Sequence, residues 1–139
     1  MNLQTARTNT IGELFFCAMY KIKSFYVAGT VDATTANKIK KEIGFNLKGY
    51  SIILNTDNLV HLLSRHFRDG KPKHRDVTYK DLGRIGSVIL RHDSVEPGNK
   101  PDRLLFKRKF PDGILCFVVE IDKKDKNLSG KTLWIRTGD

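Results

Sequence analysis

The change of hydrophobic period near residue 102 constrains the fold of this chain more than any other feature of the sequence. Before it, apolar residues recur at helical spacing, whereas polar and apolar residues alternate over 102–110, 113–122 and 131–137. A Pro-Asp-Gly turn and the polar stretch 123–130 join these runs, which predicts a meander of three antiparallel strands. We therefore expect an α+β fold, in which N-terminal helices pack on one face of a C-terminal antiparallel sheet of three to four strands.

The length of the chain predicts one domain over 1–139, with residues 1–10 flexible, 11–92 mainly helical and 102–137 forming the β-meander. Apolar spacing and capping residues predict four helices, at 11–28, at 33–43 after the N-cap residue Asp32, at about 58–66, and from Thr78 to His92. Residues 49–54 are predicted to be extended. Residues 93–101 contain two prolines and a glycine and are predicted to form a loop.

Basic residues recur on one side of the predicted strands. Lys107 and Lys109 share a face of the first strand, and Thr132, Trp134 and Arg136 share a face of the last. With the helices packed on one side of the sheet, the exposed side is expected to present Lys and Arg around a groove.

Positive charge is concentrated in the middle of the chain. Lys and Arg number 25 against 15 Asp and Glu, a formal net charge of +10, and residues 65–109 hold thirteen of the basic and six of the acidic residues. This clustering favours an anionic partner, with nucleic acid ahead of an anionic membrane surface. Cys17 and Cys116 lie in apolar runs and are predicted to be buried, reduced thiols, which indicates a cytoplasmic protein.

Two histidines, His61 and His66, stand on one predicted helix with Arg65 beside the second. Imidazoles titrate close to neutrality, so the pair can supply the acid and the base of a proton-transfer reaction. In the alternative interpretation, His66 is a hydrogen-bonded core residue and His61 is solvated. At 100° per residue the two side chains point about 140° apart, so joint action on one atom requires a distorted helix end or a divided site. The spacing of five also disfavours a shared zinc ion, and no metal site is predicted.

The segment 68–77 is a basic loop that contains glycine and proline. Its Arg68, Lys71 and Lys73 either face phosphate groups or form a solvated surface, and the sequence leaves both interpretations open. The remaining histidines, His74 and His92, are interpreted as incidental.

A family resemblance favours the chemical interpretation of the two histidines. The order Asp32-x-x-x-Ala36-x-x-Ile39, Gly44-Phe45-x-Leu47-x-Gly49-Tyr50 and His61-x-x-x-x-His66, followed by a helix and basic strands, resembles the phage nucleases of the barnase/EndoU/colicin/RelE-like superfamily over roughly 30–137. The resemblance implies a small metal-independent ribonuclease without a cofactor, often a toxin domain of a phage or conflict system. It also implies action in the host cytoplasm and an acidic immunity or antitoxin protein as a partner.

Cleavage of RNA by its own 2'-hydroxyl needs a base, an acid and cations around the phosphate. His61 and His66 are predicted as base and acid in either order, and Lys107 as a catalytic cation. The resemblance places a Ser or Thr in the last strand, so Thr137 completes the predicted catalytic set. The predicted substrate-binding residues share a basic or hydroxyl side chain: Arg65, Arg68, Lys71, Lys73, Lys109, Thr132 and Arg136.

The expected substrate is RNA, including tRNA or another structured RNA. A non-catalytic nucleic-acid-binding module is the alternative, with Trp134 or Tyr79 available for base stacking. A third hypothesis is a protein that docks an acidic partner and neither cleaves nor binds RNA.

Overall fold

A computed structural model describes residues 6–66 and 73–137 of the chain. Five helices and eight strands lie within these residues. The helices are α1 (Ile11–Met19), α2 (Ala33–Ile43), α3 (Thr56–His66), α4 (Tyr79–Leu82) and α5 (Ile85–Leu90). The strands are β1 (Ala6–Thr8), β2 (Ser24–Thr30), β3 (Ser51–Asn55), β4 (His74–Arg75), β5 (Ser94–Pro97), β6 (Arg103–Phe110), β7 (Gly113–Asp122) and β8 (Asn127–Arg136).

All eight described strands join one mixed sheet in the order β1-β2-β3-β8-β7-β6-β5, and β4 pairs separately with the end of β8. The predicted α+β class and the antiparallel meander of the last three strands are confirmed. The predicted sheet of three to four antiparallel strands was too small, because the region 11–92 contributes β2, β3 and β4 as well as the helices. Two strand pairs are parallel, β1 with β2 and β3 with β8.

The predicted helix over 11–28 was wrong in its second half. The helix ends at Met19, Lys21 adopts a left-handed φ of 57°, and residues from Ser24 onwards pair with β3. The Phe-Tyr-Val run of β2 consists of aromatic and β-branched residues, which fit a sheet surface better than a helix. Pairing with β3 decides the outcome where the hydrophobic spacing allows both structures.

Two further predictions need correction. The predicted loop 93–101 contains the strand β5, and its Pro97 is tolerated because β5 lies at the edge of the sheet. The predicted helix from Thr78 to His92 is two short helices, α4 and α5, separated at Gly83 and Arg84.

The second helix follows its sequence signals closely. Asp32 Oδ1 accepts a hydrogen bond from the Thr35 amide at 2.7 Å and caps α2 at its N-terminus. Gly44, with a φ of 82°, ends the helix in the left-handed conformation that glycine adopts without strain. These two signals fix α2 at the predicted boundaries.

The core lies between the helices and one face of the sheet. Alternate strand residues such as Ile52, Leu54, Phe106 and Phe117 are fully buried and form one cluster with the buried residues of the helices. Gly86 of α5 lies so close to β2 that a Cβ atom there would stand 2.5 Å from the Ala28 carbonyl oxygen. The side chains of β5 to β8 that point to the other face of the sheet lie outside this core cluster.

Candidate nucleic-acid interface

The side chains opposite the core on β4 to β8 form what we call the open face. Strand register aligns four residues across it at the end of the sheet next to the β6–β7 turn. Lys109 lies opposite Ile114, Ile114 opposite Arg136, and Arg136 opposite His74. We call these four residues the terminal row. Lys109 and Arg136 are exposed, and His74 is half-buried.

Two further rows run parallel to the terminal row. Lys107, Cys116 and Trp134 form one, and Leu105, Val118 and Thr132 form the next. The predicted common face of Thr132, Trp134 and Arg136 is therefore confirmed, and the register adds Lys107 and Lys109 to the same side. Four predicted site residues, Lys107, Lys109, Thr132 and Arg136, share the open face.

Two hollows lie on this surface. One, of about 320 Å³, is lined by Lys109, Ile114, Arg136 and Thr137 together with the β6–β7 turn. The other, of about 480 Å³, has Leu105, Val118, Thr132 and Trp134 in its wall beside the 96–99 segment. The first hollow is lined by the two cations Lys109 and Arg136 and by Asp112, whose carboxylate is paired with Arg75 and Arg84. The second hollow combines an apolar surface with an aromatic ring.

The basic side chains of the open face differ in their ion pairs. Lys107 lies 3.7 Å from Glu96, and Arg103 lies 3.3 Å from Glu120. Over the described residues 6–66 and 73–137, no carboxylate forms a salt bridge with the side-chain nitrogens of Lys109 or Arg136, although the Asp93 carboxylate accepts a hydrogen bond from the Lys109 backbone amide at 2.6 Å. These two exposed cations, one on each side of β7, are therefore available for an anionic ligand. Their Cα atoms stand about two strand spacings apart, roughly 10 Å, a gap that two long side chains can close around one phosphate.

Cys116 lies beneath the cations. It is buried, and burial raises the pKa of its thiol although Lys107 and Arg136 act in the opposite direction. Both cysteines are free, as predicted; Cys17 is only half-buried. A thiol with a raised pKa is protonated at neutral pH, so Cys116 is an uncharged part of the surface beneath the cations.

A charged cluster holds the end of the sheet together. Arg75 donates two hydrogen bonds to the Asp81 carboxylate, at 2.8 and 2.7 Å, and one to the Asp112 carbonyl oxygen at 3.1 Å. The Thr78 amide donates to Asp81 at 2.7 Å, so the aspartate of the predicted capping box takes the expected role. Arg84 bonds Asp112 at 3.0 Å. The cluster links β4, α4 and the β6–β7 turn behind the terminal row.

The pKa of Asp81 is set by opposing influences. Its side chain is completely buried, which by itself would raise the pKa. The hydrogen bonds from Arg75 and Thr78 outweigh burial and hold the pKa below its usual range. Asp81 is therefore ionised at neutral pH and forms a buried ion pair with Arg75.

Both histidines of the predicted pair belong to α3. The α3 backbone is helical from Thr56 to His66, and the Asn55 side chain caps it by accepting from the Asn58 amide at 2.8 Å. His61 is exposed, and Leu59 is buried. Val60 is also exposed. The predicted distortion of the helix end is not observed up to His66.

The other predicted residues lie near the end of β8, on α3 or outside the residues that the structure describes. The Thr137 amide donates to the Lys73 carbonyl oxygen at 2.6 Å, which brings these two residues together beside the terminal row. Arg65 occupies the last turn of α3. Arg68 and Lys71 lie outside the described residues.

His74 was interpreted as incidental, and its place in the terminal row was missed. A strand of two residues is too short to show alternation, so the sequence carries no signal for its pairing with β8. His92, also set aside, is buried rather than at a frayed helix end. Its Nδ1 lies 2.7 Å from the Ile89 carbonyl oxygen, and its ring contacts Phe106 edge-on.

No group of three or more His, Cys, Asp or Glu side chains among the described residues is arranged to hold a metal ion. None of the described helices is both long and apolar enough to cross a membrane.

The fold and the open face define a small α+β protein with a basic, uncovered sheet surface. The family described as phage-Barnase-EndoU-ColicinE5/D-RelE like nuclease3 matches residues 30–139, and the chain belongs to this nuclease family. The expected resemblance is thus confirmed. The match starts at the last residue of β2, so β1 and α1 precede the matched region. No curated protein and no solved structure matches the chain.

Proposed function

We propose that this protein is a metal-independent endoribonuclease that cleaves RNA on the open face. The observation that carries the proposal is the pair of exposed cations, Lys109 and Arg136, flanking one hollow in a chain of a nuclease family. Guanidinium and ammonium groups form charge-assisted hydrogen bonds to phosphate oxygens. The scissile phosphate therefore binds between them, with Lys107 in the neighbouring row.

The reaction is an intramolecular transesterification. A base removes the proton of the 2'-hydroxyl, the 2'-oxygen forms a bond to phosphorus, and the bond from phosphorus to the 5'-oxygen breaks. An acid gives a proton to the departing 5'-oxygen. The products are a 2',3'-cyclic phosphate and a 5'-hydroxyl. The cations stabilise the negative charge that develops on the phosphoryl oxygens.

Histidine is the proposed acid and base, since its pKa is closest to the working pH. His61 and His66 are the candidates on α3. Lys107 is the proposed catalytic cation, and Thr137 orients the phosphate through its hydroxyl group. Around them, Arg65, Arg68, Lys71, Lys73 and Thr132 are proposed to bind the flanking RNA.

The hollow beside Trp134 suits a nucleobase. Leu105 and Val118 supply apolar contact, and an indole ring stacks on any base. This hollow lies one or two rows from the terminal row, about the distance between a base and its own phosphate. RNA, including tRNA, is the proposed substrate, and the host cytoplasm is the proposed place of action.

The net charge of +10 also supports an acidic immunity or antitoxin protein as a partner, because opposite charge speeds association. Such an inhibitor would cover the open face and compete with RNA. Co-expression with acidic proteins encoded beside the gene tests this, and RNA cleavage that persists in their presence contradicts it.

The decisive test incubates the protein with mixed RNA in excess EDTA and analyses the new ends. Cyclic-phosphate and 5'-hydroxyl ends are expected, and their yield should fall in Lys109→Gln and Arg136→Gln. Lys124→Gln is the control, because Lys124 is an exposed cation in the β7–β8 turn at the opposite end of the sheet. Cleavage that requires a divalent ion would overturn metal independence.

A non-catalytic nucleic-acid-binding module is the second candidate, and the aromatic hollow favours it equally. It predicts intact RNA and salt-sensitive binding. Intact RNA together with a dissociation constant that weakens in Lys109→Gln would establish the module in place of the enzyme.

A further inference from the structure

We propose that His74, on the open face, supplies one of the two proton transfers of RNA cleavage. This inference rests on the ribonuclease function proposed above. It assigns to the sheet a catalytic group that the sequence pattern does not reveal.

Helix α3 has regular geometry. A regular helix rotates by 100° per residue, so side chains five positions apart point about 140° from one another. The backbone of α3 remains helical through His66, and the His61 side chain is exposed to solvent. The helices pack on the core side of the sheet, so we infer that a phosphate on the open face takes at least one proton-transfer group from the sheet itself.

The His74 side chain belongs to the open face. In β4, Arg75 pairs with Ile135, whose side chain is buried in the core, and His74 pairs with Arg136 on the open face. Successive residues of a strand point to opposite faces, so His74 belongs to the same side as Arg136. Paired residues of antiparallel strands have Cα atoms about 4.5–5.5 Å apart. The imidazole thus lies beside Arg136, one of the two cations proposed to hold the phosphate.

Hydrogen bonds hold the residues on both sides of His74. On one side of His74, the Lys73 carbonyl oxygen accepts from the Thr137 amide at 2.6 Å. On the other, Arg75 is fixed by two hydrogen bonds to the buried Asp81. Both neighbours of His74 are anchored, so the imidazole projects from a fixed backbone. Preorganisation of this kind is what general acid–base catalysis requires.

The remaining histidine cannot take this role. His92 is buried on the core side of the sheet against Phe106, with 1% of its surface exposed. Among the described residues, His74 is therefore the histidine that the sheet presents on the open face.

The test compares His74→Gln with the wild-type protein on RNA. Loss of a general acid or base lowers kcat by roughly 100-fold to 10,000-fold. We expect such a fall in kcat, with KM and the dissociation constant for RNA within about 3-fold, because Gln keeps the polar contact and removes the proton transfer. Lys124→Gln should leave both constants unchanged.

A second substrate identifies the transfer. In uridine 3'-(4-nitrophenyl phosphate), the leaving group is nitrophenolate, which departs without protonation. If His74 is the acid, His74→Gln regains near wild-type activity on this ester; if it is the base, the variant is slow on both substrates. Either result supports the assignment.

The outcomes separate the two proposals. Wild-type cleavage of RNA with kcat of His74→Gln within 3-fold overturns the role of His74 and leaves the ribonuclease proposal intact. No cleavage by the wild-type protein overturns the ribonuclease function and the His74 role with it. An unfolding curve of His74→Gln, together with His74→Asn as a second variant, excludes misfolding: a fall in kcat that tracks a loss of folded protein in both variants counts against His74.

Discussion

Replacing Arg75 by Ala should destabilise the protein strongly and disorder β4, because it strips a buried carboxylate of its cationic partner. Arg75 makes two short, charge-assisted hydrogen bonds to Asp81, whose side chain has no solvent exposure, while its own side chain is 25% exposed. In the variant, Asp81 keeps the hydrogen bonds from Thr78 and a longer ion pair with Arg84 at 3.6 Å. A buried charge that loses its hydrogen-bonded counter-ion is costly, so the loss exceeds that expected for a surface ion pair.

The magnitude follows from these contacts. Hydrogen bonds to charged groups contribute about 1.5–3 kcal/mol each, and breaking a buried ion pair costs about 3–5 kcal/mol. Because Arg75 retains some exposure to solvent, we take the lower limit, about 3 kcal/mol. With a urea m-value of roughly 1.5–2 kcal/mol/M, the midpoint of unfolding should fall by about 1.5–2 M.

The assay is urea unfolding followed by circular dichroism, with Arg84→Ala as the matched control. Arg84 hydrogen-bonds Asp112, whose side chain is 43% exposed, and approaches Asp81 only at 3.6 Å, beyond hydrogen-bond distance. The midpoint of Arg84→Ala should therefore fall by less than half as much. The double variant Arg75→Ala/Asp81→Ala should recover part of the loss, since it removes the unpaired charge. If the losses of the single variants Arg75→Ala and Asp81→Ala simply add in the double variant, the ion-pair explanation is wrong. It is also wrong if the midpoint of Arg75→Ala shifts no more than that of Arg84→Ala.

The same pair makes a prediction for acidic pH. The pKa of Asp81 lies below its usual value in the folded state, so its contribution is present above the unfolded pKa of about 3.9. The contribution is lost as the pH falls through the folded pKa. The difference in stability between the wild type and Arg75→Ala should therefore shrink below about pH 4, and a constant difference would contradict the ion-pair explanation.

Three further predictions concern the core and the open face. Burial lowers the pKa of His92 below 6.5, so the wild type should lose stability as pH falls below about 6.5, and thermal unfolding of His92→Gln should lack this dependence. Gly86→Ala should lower stability by about 1–3 kcal/mol, because the new Cβ meets the Ala28 carbonyl oxygen; in Gly83→Ala the nearest atom is 3.4 Å away, and a comparable loss there would contradict the steric argument. Lys109→Gln should reduce the slope of log K for RNA against log salt by about 0.7, and an unchanged slope would remove Lys109 from the phosphate site.

Sequence signals were sufficient wherever the structure depends on neighbouring residues. Asp32 and Gly44 bound α2 because a capping side chain and a left-handed glycine act within a few residues of the helix ends. The meander of β6, β7 and β8 followed from strict alternation, and the same alternation placed Thr132, Trp134 and Arg136 on a common face. The family was also predicted from the sequence, and the family match over residues 30–139 confirms it.

The sequence was ambiguous where two structures fit the same pattern. The apolar run that ends in β2 suits a helix or a strand, and pairing with β3 selects the strand. Pro97 suggested a loop, yet a proline is compatible with a strand at the edge of a sheet, and only the strand order shows that β5 is such an edge.

What the sequence by itself determined, therefore, is the α+β class, the nuclease family, the basic charge and the residues that alternate on the last three strands. Only the tertiary structure decided which of these residues meet. His74 joins Arg136 through two residues of pairing, and Arg75 reaches Asp81 and Asp112 across separate elements. The physical reason is range: caps, turns and alternation act between near neighbours, whereas a site on a sheet is assembled by hydrogen bonds between strands distant in the chain, whose register no local pattern encodes.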